Sequence, residues 1–342
     1  MKKPITNTHI EKILDLPTPE TLKKQFNHTE KTKDLIANSR QTIESIIDGT
    51  DSRPLIIVGP CSIHDPQAAI EYAKKLYTLH KKLKEKCYIV MRVYFEKPRT
   101  TMGWKGLIND PDMDQSFNIK KGLEQARHLL LQILDIGLPT ASEMLDPIVP
   151  QYIADLVSWA SLGARTTESQ PHREMASGLS MPIGFKNATN GDVSIAINAM
   201  EAAKHSHSFI GTTPEGKVAY VKTKGNPYGH LILRGGSNGP NYDKETIKKN
   251  SSVLAKKELP NKILIDCSHG NSKKNHKNQH IAFKDVMNQQ KSNPNILGTM
   301  LESNLFEDNQ SIPPLLADLK YGISVTDKCI GWDETEKLLT SH

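Results

Sequence analysis

Eight short runs of apolar and β-branched residues, each followed by turn residues and usually by a stretch of helical periodicity, predict that these 342 residues fold as an α/β protein of the (β/α)8 TIM barrel class. Two further observations narrow the prediction. The first run leads into Gly59-Pro60-Cys61 with no GxGxxG behind it, which argues against a doubly wound dinucleotide-binding sheet. A barrel takes ~250 residues, and the surplus falls in two places, an N-terminal extension and an alternating segment at 208–224.

Taken in order, residues 1–48 read as an arm plus helix lying outside the barrel, with a role in assembly or regulation. Pro17-Thr18-Pro19-Glu20 marks a turn and a helix start, and Leu35, Ile36, Ile43, Ile46 and Ile47 fall near helical spacing. The catalytic barrel spans 49–342. Its strands are expected at 55–58, 88–94, 138–142, 158–164, 182–186, 231–233, 263–266 and 297–301. Helices are expected around 66–84, 119–136, 148–156, 172–179, 193–205, 244–259 and 281–290, with a short last one near 333–339. The insert SFIGTTPEGKVAYVKTK, 208–224, alternates about a Pro-Glu-Gly turn and reads as a β-hairpin.

The totals exclude several functions. A net charge of +6 with 24% charged residues of both signs is mild, and no RNP, zinc-finger or basic-zipper pattern accompanies it, so nucleic acid is not expected as a partner. Lysine runs such as Lys81-Lys82 and Lys273-Lys274 read as solvated faces. No apolar run reaches the ~18 residues of a membrane helix and no signal core opens the chain. A cytoplasmic protein without membrane contact is expected. Four cysteines without paired spacing, Cys61, Cys87, Cys267 and Cys329, are expected to be reduced, and to matter, if at all, as thiolates.

Chemistry in a barrel gathers at the C-terminal strand ends. The stretch MRVYFEKPRTTMGWKGLINDP, 91–111, places Arg92, Lys97 and Arg99 at one such end, followed by Thr100, Thr101, Gly103 and Gly106, a composition suited to a loop closing on phosphate. Only 8 of the 44 basic residues are arginine, so two in this stretch point to bidentate binding of carboxylate or phosphate. Every strand end carries an ionisable or metal-binding group: Cys61, Arg92 with Lys97, Glu143, Arg165, Lys186, Arg234, His269 and Glu302. Cations in one mouth imply a substrate set with several negative charges. Cys61, His269 and Glu302 lie on the first, seventh and eighth strands, neighbours in a closed barrel, and the loop SVTDKC adds Asp327. One thiolate, one imidazole and two carboxylates suit an exchangeable catalytic divalent metal better than structural zinc.

The motifs GPCSIHDP (59–66), 91–111, GARTTESQ (163–170), GFKN (184–187), HLILRGG (230–236), DCSHGNS (266–272) and SVTDKCIGW (324–332) resemble those of the microbial type I 3-deoxy-D-arabino-heptulosonate-7-phosphate (DAHP) synthases. The likeness runs from the arm to Trp332 and is nearest the feedback-regulated enterobacterial group. It implies metal-dependent condensation of phosphoenolpyruvate with D-erythrose 4-phosphate, the first step of the shikimate pathway. It implies one divalent ion, Mn, Fe, Co or Zn, held by Cys61, His269, Glu302 and Asp327. Arg92, Ala164, Arg165, Lys186 and Arg234 are implied for phosphoenolpyruvate, and Lys97, Pro98, Arg99 and Thr100 for the aldose phosphate. Glu143 is expected to position a water and Lys97 or a metal-bound water to supply a proton, so that Lys97, Glu143, Arg165 and Lys186 form the catalytic set. After Lys186 the chain reads NATNG where the family usually has a glycine and an aspartate, which spares the lysine.

The resemblance further implies a homo-oligomer, dimer or tetramer, and an aromatic amino acid effector, tyrosine favoured by the wording of HSFIG and SGLSMP. The matching effector positions are Asn7, Pro147, Gln151, Ala154, Leu179, Ser180, Phe209, Gly211 and Val221. Cys329, two residues past Asp327, is expected within reach of Cys61, so that oxidation would pair them and expel the metal. The competing readings are a 3-deoxy-octulosonate-8-phosphate synthase, against which the KPRT motif argues, and a non-catalytic anion-binding protein, which would spread its cations over exposed helices.

Overall fold

Strand residues two apart share a face, and in this chain that alternation separates two cores. The structure, a computed structural model, describes residues 5–341. Eight parallel strands close a barrel: β1 (Leu55–Gly59), β2 (Tyr88–Arg92), β3 (Thr140–Glu143), β4 (Trp159–Leu162), β5 (Ile183–Lys186), β8 (Gly229–Leu233), β9 (Ile263–Asp266) and β10 (Ile296–Glu302). The ring is completed by β1 pairing with both β2 and β10. Between β5 and β8 the chain inserts the antiparallel hairpin β6 (Ser208–Thr212) and β7 (Val218–Lys222), as the 208–224 pattern predicts.

Ile56, Val58, Ile89, Met91, Ala160, Leu162, Ile183, Phe185, Leu231 and Leu233 point outward and bury themselves against the surrounding helices. The alternate positions Leu55, Ile57, Val90, Ala141, Trp159, Ile232, Leu264 and Met300 fill the lumen. One step further along those inward-facing rows stand Gly59, Arg92, Glu143, Lys186, Asp266 and Glu302. The same period of two therefore paves the barrel with hydrocarbon at its floor and with charge at its C-terminal mouth.

The helices of the shell are α3 (Pro66–Leu83), α4 (Ile119–Ile136), α5 (Pro150–Ile153), α6 (Gln170–Gly178), α7 (Ser194–Lys204), α8 (Lys244–Lys256), α9 (Gln279–Gln290) and α10 (Trp332–Thr340). The helix expected at 148–156 is divided into α5 and a 3-10 turn, Ala154–Leu156, where Asp155 accepts two hydrogen bonds from the buried Arg127 guanidinium at 2.7 and 2.8 Å. The third strand begins at Thr140 rather than 138 because Pro139 has no N–H to give to a ladder.

The N-terminal extension holds α1 (Pro19–Gln25) and α2 (Glu30–Asp48), and α2 does not lie outside the barrel. Ile43, Ile46 and Ile47, at helical spacing, belong to the same buried cluster as the lumen residues. The reason is geometric: a barrel's N-terminal end exposes its lowest apolar layer, and the apolar stripe of an amphipathic helix covers it. Arg40 fastens the helix there, donating to the Val157 and Ala154 carbonyls at 2.8 and 2.7 Å. Further out, the Glu20 N–H donates to the Pro214 carbonyl in the hairpin turn at 2.8 Å, and the Tyr152 hydroxyl donates to Pro17 O at 2.9 Å. No described helix is long and apolar enough to cross a membrane.

Candidate active site

The charged mouth opens into a cavity of about 530 Å³. Arg92, Lys97, Pro98, Arg99, Thr100, Glu143, Ala164, Arg165, Lys186, Arg234, His269, Glu302 and Asp327 all line it, so residues drawn from strand ends across the whole chain share one space. Cys61 sits behind the lining, buried, in contact with Lys97 and Asp327.

Sγ of Cys61 and carboxylate oxygens of Glu302 and Asp327 lie within 4.8 Å of one another, and Nε2 of His269 stands 4.0 Å from Glu302 Oε1. The Cys61 thiol donates to Asp327 at 3.4 Å and accepts from the Lys97 ammonium at 3.0 Å. Burial, reinforced by the Glu302 carboxylate, pushes this thiol up to about 12. Burial acts to raise Asp327 as well, but Lys97 and His269 hold it down at about 2. A set of one soft sulfur, one imidazole and two carboxylates, crowded enough that its negative charges oppose one another, fits a divalent cation.

Arg92 braces that group. Its guanidinium is buried and donates to the Pro60 and Cys61 carbonyls at 3.0 and 3.1 Å and to Glu302 Oε1 at 3.0 Å, and it lies 3.5 Å from the centroid of the Tyr94 ring. Ser268 Oγ donates to the other Glu302 oxygen at 2.9 Å. Expected from the sequence to hold substrate, Arg92 lines the cavity with much of its donor capacity already engaged.

On the opposite side, the Lys186 ammonium donates to Asp266 at 2.9 Å with both groups buried. Arg165 is exposed at the end of the β4 loop, and Arg234 is partly buried close enough to feel its charge. The Arg234 backbone carbonyl accepts from the N–H groups of Gly270 and Asn271 at 3.0 and 3.3 Å, which ties the loops after β8 and β9 together. Glu143 keeps one buried carboxylate oxygen without a hydrogen-bond partner. Gly163 leaves it room, since a Cβ there would come within 2.2 Å of that oxygen.

Four participants escape the sequence reading: Tyr94, Asp266, Ser268 and Glu96. Asp266 was legible in principle, because it alternates with the lumen residue Leu264. Glu96, 3% exposed beside Lys97, accepts from the Asp146 N–H at 3.5 Å. Burial, then the Asp146 carboxylate, pushes its carboxyl up to about 8. An acid whose folded value is raised binds a proton that the unfolded chain has released, so its contribution to stability is full below pH ~4.5 and is lost as pH rises toward 8. Glu96→Gln removes this term. The variant should gain on the unsubstituted protein by a few kcal/mol as the pH rises from 5 to 8, read as the difference in urea midpoints; a difference independent of pH would refute the protonated carboxyl.

Of the effector positions, Phe209, Gly211 and Val221 share the half-buried face of the hairpin, with Phe209 directly across from Val221. Leu179 caps α6, and its carbonyl accepts from Asn226 at 3.1 Å just beyond the hairpin. Ser180 follows it, exposed, while Pro147, Gln151 and Ala154 lie on the segment around α5. Asn7 lies on the exposed arm with φ 57°. Cys61 and Cys329 are both buried and free.

Compared with known proteins, residues 26–340 match the model of the DAHP synthetase I family. The Tyr-sensitive phospho-2-dehydro-3-deoxyheptonate aldolase of Escherichia coli K12 is 51% identical over 99% of this chain and 95% of its own length. The Phe-sensitive aldolase of the same organism is also 51% identical, over 96% of this chain and 94% of its own. Among solved structures, phospho-2-dehydro-3-deoxyheptonate aldolase from Francisella tularensis SCHU S4 superposes with a TM-score of 0.95 at 51% identity, covering 97% of this chain and 96% of that one.

Proposed function

The chain belongs to the DAHP synthetase I family, and from that premise we propose how its cavity performs the family's reaction. The reaction joins phosphoenolpyruvate, D-erythrose 4-phosphate and water into 3-deoxy-D-arabino-heptulosonate 7-phosphate and inorganic phosphate, the first step of the shikimate pathway. The observation that carries the proposal is the adjacency, in one cavity, of a donor group for a divalent cation and a set of cations suited to two phosphorylated substrates.

Cys61, His269, Glu302 and Asp327 would hold the ion, one of Mn, Fe, Co or Zn, which when bound supplies Lewis-acid polarisation of the aldehyde oxygen. Arg165 and Arg234, with the Ala164 backbone and the Lys186 ammonium, hold phosphoenolpyruvate; Arg92 adds fixed positive charge from below. Lys97, Pro98, Arg99 and Thr100 receive the phosphate of the aldose. Binding two repelling anions side by side is most of the task, and fixed cations in a partly enclosed cavity do it without reorganising. The enol carbon then attacks the aldehyde carbon, and the cationic centre left on the former enol phosphate takes up a water and loses a proton; the resulting tetrahedral centre breaks its C–O bond to phosphate, releasing inorganic phosphate and leaving the ketone. Glu143, with its unpartnered buried oxygen, positions that water. Burial opposes charge on Lys97, but the neighbouring Asp327 and Glu302 carboxylates hold the side chain as ammonium, so it can give a proton to the developing alkoxide.

The effector in this reading is an aromatic amino acid, tyrosine favoured, held between the inner face of the hairpin and the segments at Pro147–Ala154 and Leu179–Ser180. The equal identity to Tyr-sensitive and Phe-sensitive relatives leaves that choice to individual side chains. Ile5, Ile10, Ile13 and Leu14 on the arm and Ile210, Val218 and Tyr220 on the outer face of the hairpin are exposed, which supports a homo-oligomer in which a second copy covers them. The enzyme works in the cytoplasm, on soluble phosphates. The test is phosphoenolpyruvate consumption with erythrose 4-phosphate, with and without each aromatic amino acid. Consumption suppressed most by tyrosine is expected; replacement of erythrose 4-phosphate by arabinose 5-phosphate without loss would overturn the substrate assignment.

A further inference from the structure

We propose that Asp266 is a positioning residue that sets Lys186 and His269 together, so that one buried carboxylate aligns the anion-binding side of the cavity with its metal-binding side. The proposal rests on the reading of this cavity given above. Asp266 ends β9, is 0% exposed, and follows Leu264 on the inward row. Its main chain is fixed, because Asn271 Nδ2 donates to its carbonyl at 2.8 Å. Its side chain is fixed as well, because Oδ1 accepts from the Ser268 N–H at 3.0 Å.

That leaves Oδ2, which is shared. The Lys186 ammonium donates to it at 2.9 Å, reaching across from β5, which is separated from β9 in the barrel by β8. The Nδ1 atom of His269 lies 3.0 Å from the same oxygen, close but without the alignment of a full hydrogen bond. A carboxylate oxygen only accepts, so the ring nitrogen facing it is the one that carries hydrogen. Nε2 is then the nitrogen left with a lone pair, and it is the one 4.0 Å from Glu302 on the side of the donor group. Carboxylate–imidazole–metal chains of this kind raise the ligand's basicity and fix its orientation. Here the same oxygen also directs an ammonium with three hydrogens, one of which it takes, toward the substrate space.

A carboxylate that merely neutralised a buried lysine would act on stability and on that lysine's hold on substrate, and would leave metal affinity unmoved. The experiment therefore reads metal affinity as the deciding quantity. Asp266→Asn is prepared metal-free, and Mn²⁺ affinity is measured from the electron paramagnetic resonance signal of the free ion, beside KM for phosphoenolpyruvate. We expect Mn²⁺ affinity to fall ~10–100-fold and KM to rise at least roughly tenfold. Because Asp266→Asn strands a buried ammonium and can fail to fold, the double variant Lys186→Met with Asp266→Asn removes both charges. It should fold and keep the loss of Mn²⁺ affinity, which then reports the His269 arm by itself. Mn²⁺ affinity within about twofold of the unsubstituted protein in the double variant would overturn the proposal. An unsubstituted protein that leaves all Mn²⁺ free would overturn the reading of the cavity and the proposal with it.

Discussion

Protein stripped of divalent cations by chelation should consume no phosphoenolpyruvate, and added Mn²⁺ should restore turnover. The expectation follows from the donor group: a thiol and two carboxylates from separate segments of the chain lie within 4.8 Å of one another, with an imidazole nitrogen 4.0 Å from one of the carboxylates. Without a cation, Cys61 keeps its proton, since burial and Glu302 together push it up to about 12. Loading must displace that proton, so metal binding should release acid and weaken as the pH falls. Binding to the folded chain alone should also raise the thermal midpoint, by the equivalent of about 2.7 kcal/mol at a hundredfold excess over Kd. Cys61→Ser should lose most of that rise. Full activity in chelator, in protein found free of metal by elemental analysis, would sink the assignment.

Arg165→Ala should nearly abolish turnover while leaving the fold intact. Arg165 is exposed, so truncating it costs the folded state little, within ~0.5 kcal/mol for a surface position. It lines the cavity beside Ala164, with Arg234 near enough to share an anion. Losing one guanidinium from a charge-assisted cluster should cost about 2–5 kcal/mol of transition-state binding. That corresponds to roughly 30- to 5,000-fold in kcat/KM. Arg165→Lys should recover only part, because an ammonium cannot make the paired bonds of the planar fork. Near-normal kcat/KM in the alanine variant, with unfolding unchanged, would remove Arg165 from the substrate site. The same substitution at Arg92 would be a poorer test, because that side chain also braces Glu302 and the carbonyls of Pro60 and Cys61.

Much of this was written locally in the chain. Apolar runs of strand length, helical spacing and a Pro-Glu-Gly turn are short-range properties, and the eight barrel strands and the hairpin fall where those patterns lie, within a few residues at their ends. The mouth was legible for a related reason. In a parallel barrel every strand end reaches the same face, so reading the last residue of each strand and the three that follow it finds Cys61, Arg92, Glu143, Arg165, Lys186, Arg234, His269 and Glu302 without knowing any distance.

What only the tertiary structure decided is which of those groups are spoken for. Arg92 and Glu302 are 210 positions apart, and Lys186 and Asp266 are 80 apart, yet each pair is bonded in the lumen. The apolar stripe of α2 was visible, but that it closes the barrel floor depends on a layer assembled from seven strands. Glu96 could be read as a charge, whereas its burial beside Asp146 keeps it protonated well above the usual carboxylate range. Side-chain periodicity is set by bonds between neighbouring residues and survives in the one-dimensional chain. Pairing and desolvation are set by residues that meet only once the barrel has closed.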